Sequence, residues 1–256
     1  MFRNAVVRPP APNFADGLSS SGLGAPLHGK AQEQHARYCE ALEQCGLTLT
    51  RLAPDSRYPD GTFVEDDAIL TPHAAILTRP GAESRQGEVA EIREVLARFY
   101  PSLHSIEAPG TLDGGDICEA GDRFFIGISQ RTNEEGARRL AGFLEKEGYR
   151  CTFVDIRQTP GILHLKSGIA CVGDGRLVLI DALMGREEFR RYEVVRVEES
   201  EGYAANCVRV NDAVLMAAGY PKLAKSLSGL GYRVITLPMS EYRKMDGGLS
   251  CLSLRF

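Results

Sequence analysis

Short stretches in which apolar and polar residues alternate recur along the chain, and amphipathic helical stretches lie between them. In residues 112–154, two strand-like stretches, Leu112–Cys118 and Phe124–Ile128, precede an amphipathic helix at Glu134–Glu147 and a strand at Cys151–Val154. The order strand, strand, helix, strand predicts four copies of one unit, which span residues 63–107, 112–154, 163–197 and 203–237. Because one such unit cannot bury its apolar face alone, the repeat predicts a radial array.

The two ends of the chain provide the parts of a fifth copy. A strand at Asn4–Arg8, a helix at Ala31–Gln44 and a strand at Leu47–Leu52 lack a leading strand, whereas Leu249–Phe256 is a leading strand with no helix after it. Pairing the first strand with the last would close a ring and remove the free sheet edges. The sequence therefore predicts one α/β domain over residues 1–256, a five-bladed α/β propeller whose leading strands surround a central axis.

Other elements have less regular patterns. The helix of the first copy is expected over Glu83–Tyr100, and the third copy has only a short helical turn near Arg186–Arg191. Residues 11–29 carry glycine, proline and serine without periodicity, which predicts a long surface loop. Loops of this length are usually functional or disordered, so we expect a lid that closes over bound substrate.

Each leading strand carries polar residues inside an apolar run. They are Glu65, Asp66 and Asp67 in the first copy, Asp113 and Asp116 in the second, His164 in the third, Asn206 and Cys207 in the fourth, and Ser250 and Cys251 in the fifth. Polar groups that are buried without partners are costly, so these residues need partners. If the leading strands surround one axis, their polar groups lie close together, and the sequence predicts one shared polar site. Cys251 is expected on a strand, with its thiol turned away from Leu252 and Leu254.

A thiol, an imidazole and a carboxylate are the groups that covalent catalysis by a cysteine requires. Cys251 is the candidate nucleophile, His164 the general acid and base, and Asp113 the carboxylate that orients His164 or the substrate. Cys251 and Asp113 also have ordinary structural alternatives, since a cysteine is usually a small buried hydrophobe and an aspartate can cap the turn at Gly114-Gly115. For each residue taken alone, these alternatives stay open.

Composition and charge limit the classes of protein to which the chain can belong. The net charge is −4 with both signs interspersed, which argues against a nucleic-acid partner. The seven cysteines have no CxxC motif and no metal-binding spacing with histidine, so we expect no disulfide framework and no metal, and no cofactor motif is present. Without a signal peptide or a stretch able to span a bilayer, the expected location is the cytoplasm.

Seven segments carry a family resemblance from one end of the chain to the other. They are Asp60–Asp66, Thr78–Arg85, Leu112–Asp116, Arg131–Asn133, Leu163–Lys166, Tyr203–Cys207 and Asp246–Cys251. In this order they resemble the motifs of the dimethylarginine dimethylaminohydrolase family. That family belongs to the guanidine-modifying superfamily, whose pentein fold is a five-bladed α/β propeller, so the implied fold agrees with the repeat.

The resemblance implies hydrolysis of asymmetric dimethylarginine or monomethylarginine to citrulline and dimethylamine or methylamine. Cys251 would attack the guanidinium carbon and form a covalent thiouronium intermediate. His164 would protonate the departing amine and then activate water. The implied partner is this small-molecule substrate, and no cofactor is required.

The resemblance also implies a set of substrate-binding residues. Asp66 and Asp113 would hold the guanidinium nitrogens, and Glu65 would line the same pocket. Asp60 and the backbone groups of Leu18 and Met245 would bind the α-amino group, and Arg85 and Arg131 the α-carboxylate. For the arginines, a surface ion pair is the structural alternative. Asp67 has no counterpart in the family motif, and Asp113 stands where many relatives have glutamate.

Related activities are the alternatives. Arginine deiminase would act on unmethylated arginine, and an amidinotransferase would pass the amidino group to an amine. The alternative from another class is a non-catalytic pentein such as a ribosome anti-association factor, which the joint presence of Cys251, His164 and Asp113 disfavours. No membrane partner is expected, and a homodimer is left open.

Charge leads to a hypothesis about the thiol. If Glu65, Asp66 and Asp113 surround Cys251, their negative charge raises the pKa of the thiol. A guanidinium cation would reverse that effect, so we expect the substrate to help to ionise its own nucleophile.

Overall fold

The structure is a computed structural model that describes residues 1–256. The chain forms two compact units, one of residues 1–64 with 206–256 and the other of residues 65–205. The single domain over residues 1–256 stays a prediction. None of the helices combines the length and the apolar character needed to cross a membrane.

The strands form five sheets of three strands each. The strands are β1 (Asn4–Val7), β2 (Thr48–Arg51), β3 (Ala68–Leu70), β4 (Ala75–Leu77), β5 (Leu103–Ser105), β6 (Ile117–Ala120), β7 (Arg123–Ile128), β8 (Arg150–Asp155), β9 (Ile169–Gly173), β10 (Arg176–Ile180), β11 (Glu193–Val197), β12 (Val208–Val210), β13 (Ala213–Ala217), β14 (Arg233–Leu237) and β15 (Leu254–Arg255). In every sheet the middle strand pairs antiparallel with the leading strand and parallel with the third strand. This arrangement is the predicted repeat.

Helices connect the second and third strands of most repeats. They are α1 (His28–Gln44), α2 (Val89–Leu96), α3 (Glu134–Lys146) and α4 (Pro221–Gly229), whereas α5 (Ser240–Arg243), which was not predicted, lies between β14 and β15. The third repeat has only a short 3-10 turn, Glu187–Phe189, as expected. The prediction of one helix over Glu83–Tyr100 was wrong, because Glu83–Arg85 forms a separate 3-10 turn and α2 begins after Gly87.

The fifth sheet combines both ends of the chain, as predicted. In the first unit, β15 pairs antiparallel with β1, where Ala5 lies opposite Arg255, and β1 pairs parallel with β2. The backbone N–H groups of Arg3 and Asn4 both donate to the carbonyl oxygen of Phe256 at 2.8 Å. The pairing covers both edges of β1.

The leading strands are shorter than predicted, because each is preceded by a 3-10 turn. These turns are Val64–Asp67, Gly114–Asp116, Leu165–Ser167, Glu199–Ala205 and Ser250–Leu252. Cys251 therefore lies on a turn and not on a strand. Ser253, which follows the turn, is fully buried, and its hydroxyl lies 2.6 Å from that of Tyr38. Polar side chains hydrogen-bond to backbone groups at these turns and compete with strand pairing.

One core cluster of the second unit lies under α3. The side-chain oxygen of Asn133 accepts a hydrogen bond from the Gly136 amide at 2.8 Å and caps the start of this helix. Leu140 and Leu144 are fully buried in one cluster with Ile126. The amphipathic pattern of α3 thus fixes the helix on the sheet β6-β7-β8.

We expect Leu140→Ala to lower the free energy of unfolding by about 2–5 kcal/mol, because it leaves a cavity in this cluster. The control is Leu230→Ala, since Leu230 is 37% exposed, and it should change stability by about 0.5 kcal/mol or less. Urea denaturation followed by circular dichroism measures both variants. Equal losses would contradict the assignment of Leu140 to the core.

Candidate active site

Four side chains in the unit of residues 65–205 form a buried polar group that we call the imidazole cluster: Asp66, Arg85, Asp113 and His164. The Nε2 atom of His164 lies 3.0 Å from Oδ2 of Asp113. The other carboxylate oxygen of Asp113 accepts the Gly81 amide at 2.8 Å. The Asp113 side chain makes no capping bond to the turn that follows it, so the structural alternative for this residue was wrong.

A glycine lets Asp66 and His164 approach each other. Asp66 Oδ1 accepts the backbone N–H of Gly115 at 2.8 Å. A Cβ atom at Gly115 would lie 2.7 Å from Nδ1 of His164 and 3.0 Å from Oδ1 of Asp66. Polar atoms of Asp66, Asp113 and His164 all lie within 4.8 Å of one another. Any larger residue at position 115 would push this group apart.

Arg85 is buried among the carboxylates of the same cluster. Its Nη1 atom donates to Asp66 Oδ2 at 2.7 Å, and its Nη2 atom donates to Glu88 Oε2 at 2.8 Å. Burial opposes the charge, but Glu88 and Asp66 outweigh that effect and raise the pKa of Arg85 well above its ordinary value. The sequence reasoning missed Glu88, although its spacing of three residues from Arg85 was a usable signal.

The charges around His164 keep its imidazole protonated. Burial lowers the pKa of His164, but the charge of Asp66, the hydrogen bond to Asp113 and the charge of Asp116 outweigh it and raise the pKa to about 9. Burial likewise opposes the charge of Asp113, yet the hydrogen bond and charge of His164 hold the pKa of its carboxyl below the ordinary value. The pair is therefore an imidazolium and a carboxylate at neutral pH.

Other predicted residues of this unit lie nearby in sequence but have their own partners. Glu65 is buried, and its Oε1 atom lies 2.7 Å from Nζ of Lys166, a residue that was not predicted to take part. Asp67 is also buried, and its carbonyl oxygen accepts the Thr78 amide at 3.0 Å. Arg131 is half-buried between β7 and α3, and its backbone N–H donates to Ser129 Oγ at 2.9 Å.

In the unit of residues 1–64 and 206–256, the structure brings together Leu18, Asp60 and Met245. Both carboxylate oxygens of Asp60 accept the Leu18 amide, each at 3.1 Å. A Cβ atom at Gly17 would lie 2.5 Å from Asp60 Oδ1 and 3.1 Å from Met245 Cε. The three residues predicted to bind an α-amino group are thus neighbours, although 227 positions separate Leu18 from Met245.

The predicted lid is fastened to a second segment of its own unit. The Ser20 backbone N–H and hydroxyl both donate to Asp246 Oδ2, at 2.5 and 3.0 Å. The hydroxyl groups of Ser19 and Ser21 donate to the Lys244 carbonyl oxygen at 2.6 and 2.7 Å. These bonds would have to break for the loop to open, and its movement stays a prediction.

Asn206 holds the turn that carries Cys251. Its Oδ1 atom accepts the Ser250 amide at 3.0 Å, and its Nδ2 atom donates to Ser250 Oγ at 3.1 Å. The Gly248 N–H donates to Cys251 Sγ at 3.5 Å. The Cys251 side chain is half-buried, as are those of Cys151 and Cys171, so exposure alone does not distinguish it from these two cysteines.

Comparison with known proteins gives one family-model match over part of the chain and matches to relatives over nearly all of it. Residues 58–211 match the family model described as arginine deiminase. The chain is 48% identical to the dimethylarginine dimethylaminohydrolase of Pseudomonas aeruginosa, over 100% of both chains. It is 36% identical to that of Streptomyces coelicolor, over 99% of this chain and 96% of the relative.

A solved structure agrees with these matches. It is a mutant of the Pseudomonas aeruginosa enzyme in complex with citrulline, with 47% identity, a TM-score of 0.97 and coverage of 100% of both chains. The fold thus defines a guanidine-modifying enzyme of the pentein class, and the predicted five-bladed α/β propeller is confirmed by the five sheets and this likeness. Within that class, the chain belongs to the dimethylarginine dimethylaminohydrolase family.

The raised pKa of His164 predicts how stability depends on pH. The folded-state pKa of about 9 lies above the ordinary value of 6.5, so the contribution of His164 is fully present below pH 6.5. It is lost as the pH rises through about 9. We expect the difference in unfolding free energy between the wild type and His164→Gln to shrink across this range.

Urea denaturation at a series of pH values measures this difference. His73→Gln is the control, because His73 is exposed, and its difference from the wild type should stay small throughout. A difference for His164→Gln that does not change between pH 6.5 and pH 9 would contradict the ion pair.

Proposed function

We propose that the chain hydrolyses asymmetric dimethylarginine or monomethylarginine to citrulline and the corresponding amine. The observation that carries this proposal is the hydrogen-bonded pair of His164 and Asp113 in a buried cluster that also holds Asp66. An oriented imidazole suits proton transfer, and carboxylates suit a guanidinium cation. Family membership and the citrulline bound to the relative support the same class of substrate.

In the first half of the proposed reaction, the Cys251 thiolate forms a bond to the guanidinium carbon. The imidazolium of His164 donates its proton to the methylated nitrogen, the carbon–nitrogen bond breaks, and the amine leaves. A thiouronium cation remains attached to Cys251. The pKa of about 9 suits His164 to this role, because it supplies the protonated form at neutral pH.

In the second half, neutral His164 removes a proton from a water molecule whose oxygen attacks the same carbon. The carbon–sulfur bond then breaks, and Cys251 leaves as the thiolate. The product loses its remaining extra proton to solvent and becomes citrulline. His164 ends the cycle as the imidazolium, so the second half of the reaction restores the thiolate and the imidazolium that the first half consumed.

Proposed binding roles follow the charge of the substrate. Asp66, Asp113 and Glu65 would face the guanidinium group, while Asp60 with backbone groups of Leu18 and Met245 would bind the α-ammonium group. The bonds from the Leu18 amide to the Asp60 carboxylate support the second role, because they hold the Leu18 backbone beside that carboxylate.

Arg131 and Arg85 are the proposed partners of the α-carboxylate, since arginine binds carboxylates through paired donors. Arg85 already donates to Asp66 and Glu88, so half-buried Arg131 is the stronger candidate. We further propose that residues 1–256 act as one catalytic domain. The cytoplasmic location and the homodimer stay predictions.

A second candidate is the release of ammonia from unmethylated arginine. The match of residues 58–211 to the arginine deiminase family model favours it. The two candidates share the covalent chemistry and differ in the size of the leaving amine, so a comparison of substrates separates them.

A product assay tests the proposed function. Purified enzyme is incubated with asymmetric dimethylarginine, monomethylarginine or arginine, and citrulline is measured. We expect citrulline from the methylated substrates and a loss of at least about 1,000-fold in kcat for Cys251→Ser, because the nucleophile is removed. Cys151→Ser is the matched control, since Cys151 is also half-buried, and it should retain activity.

Each other result of this assay has a definite meaning. Product from arginine alone would favour the second candidate. Full activity of Cys251→Ser would overturn the covalent mechanism, and no product from any of the three substrates would overturn the proposed function.

Alkylation of Cys251 tests the assisted ionisation of the thiol. The rate of reaction with iodoacetamide is measured against pH, with and without acetamidine, an unreactive planar cation. We expect acetamidine to lower the apparent pKa of Cys251, because a nearby positive charge favours the thiolate. Cys251→Ser gives the background from the other cysteines, and an unchanged apparent pKa would contradict the hypothesis.

A further inference from the structure

Asp116 is a fully buried carboxylate to which the proposed reaction gives no role. Its Oδ2 atom accepts hydrogen bonds from the hydroxyl groups of Ser129 and Thr132, both at 2.6 Å. Its Oδ1 atom accepts the backbone N–H of Leu165 at 2.9 Å. One side chain therefore binds three groups from two separate segments of the chain.

These bonds extend to residues with proposed roles in the reaction. The Asp113 backbone N–H donates to Thr132 Oγ1 at 3.1 Å, so Thr132 connects Asp113 to Asp116. Leu165, which directly follows His164, binds the other oxygen of Asp116. Asp116 thus joins the backbone of the carboxylate partner to the backbone of the imidazole partner.

The same carboxylate supports the loop of the proposed carboxylate-binding arginine. The Ser129 hydroxyl accepts the Arg131 amide at 2.9 Å and the Thr132 amide at 3.0 Å while it donates to Asp116. The loop between β7 and α3 is therefore fixed to Asp116 at two hydroxyl groups. Displacement of Asp116 would move this loop together with Asp113.

A glycine makes room for this arrangement. Gly127 lies in β7, and a Cβ atom there would be 3.0 Å from both Asp116 Oδ1 and Leu165 Cβ. A larger residue would separate Leu165 from Asp116. The absence of a side chain at Gly127 therefore permits the hydrogen bond between the Leu165 backbone and Asp116.

The charge of Asp116 acts on His164 as well. Asp66, Asp113 and Asp116 are the carboxylates whose charge raises the pKa of His164, and His164 is the charged group that lowers the pKa of Asp116. Burial still raises the pKa of Asp116 to about 6, so keeping this group ionised has a cost. Apolar residues could fill the same space without that cost.

We propose that Asp116 is a positioning residue for the reaction, which holds Asp113 and His164 at hydrogen-bond distance through Thr132 and Leu165. The role in catalysis rests on the proposed function. Asp116 is not expected to touch the substrate, because its oxygens bind hydroxyl and backbone groups.

The first variant is Asp116→Asn, which keeps the shape of the side chain and removes its charge. We expect kcat to fall about 10- to 100-fold, since small displacements of reacting groups have effects of this size. We also expect the pKa of His164 to fall, because one of its three carboxylates is lost. Histidine-labelled protein followed by nuclear magnetic resonance measures that pKa in the resting enzyme.

The second variant tests the connection without altering the charge. Thr132→Val removes the hydroxyl group that joins Asp113 to Asp116, and we expect kcat to fall, whereas Thr132→Ser should restore most of it. Thr71→Val is the matched control. Thr71 is also buried, its hydroxyl bonds to the Ala74 backbone, and its loss should affect stability more than kcat.

The outcomes separate the role of Asp116 from the proposed function. Citrulline release by the wild type tests the function, and the titration of His164 tests Asp116 without turnover. An unchanged kcat and an unchanged His164 pKa in Asp116→Asn would overturn the proposal, as would a wild-type kcat in Thr132→Val. If the wild type releases no citrulline while the His164 pKa falls in Asp116→Asn, only the catalytic part fails.

Discussion

The ion pair between His164 and Asp113 is the interaction on which the site of the second unit depends. A buried charge is stable only when it is paired and hydrogen-bonded, and this pair meets both conditions at 3.0 Å. Two nearby acids also have basic partners, since Asp66 forms a salt bridge with Arg85 and Glu65 forms one with Lys166. The protein thus holds several acids beside basic partners in a buried place, where a cationic substrate would meet carboxylates that are already oriented.

The repeated 3-10 turn is the local structure that makes such placement possible. In a strand, side chains alternate between two faces, whereas a 3-10 turn has three residues per turn and breaks that alternation. Asp113 and His164 each directly precede one of these turns, and Cys251 lies in another. The same device, repeated along the chain, thus carries the acid, the imidazole and the thiol.

The sequence predicted the repeat and the fifth sheet because alternation and helical periodicity are local signals that survive folding. It could not predict the turns. Their geometry depends on hydrogen bonds between distant residues, such as Asn206 with Ser250, which no local pattern reveals. Asp116 was missed as a supporting residue for the same reason, because Ser129, Thr132 and Leu165 lie 13 to 49 positions away. Gly87, by contrast, was a local signal that the helix predicted over Glu83–Tyr100 begins later, since glycine disfavours a helix interior.

The pairing of β15 with β1 has a consequence for synthesis on the ribosome. Four of the five sheets use strands that lie close together in the chain, so each can form soon after it emerges. The fifth cannot form until Leu254 and Arg255 have been made, about 250 residues after β1. During translation β1 and β2 therefore remain an incomplete sheet until the segment that bears the thiol has been made.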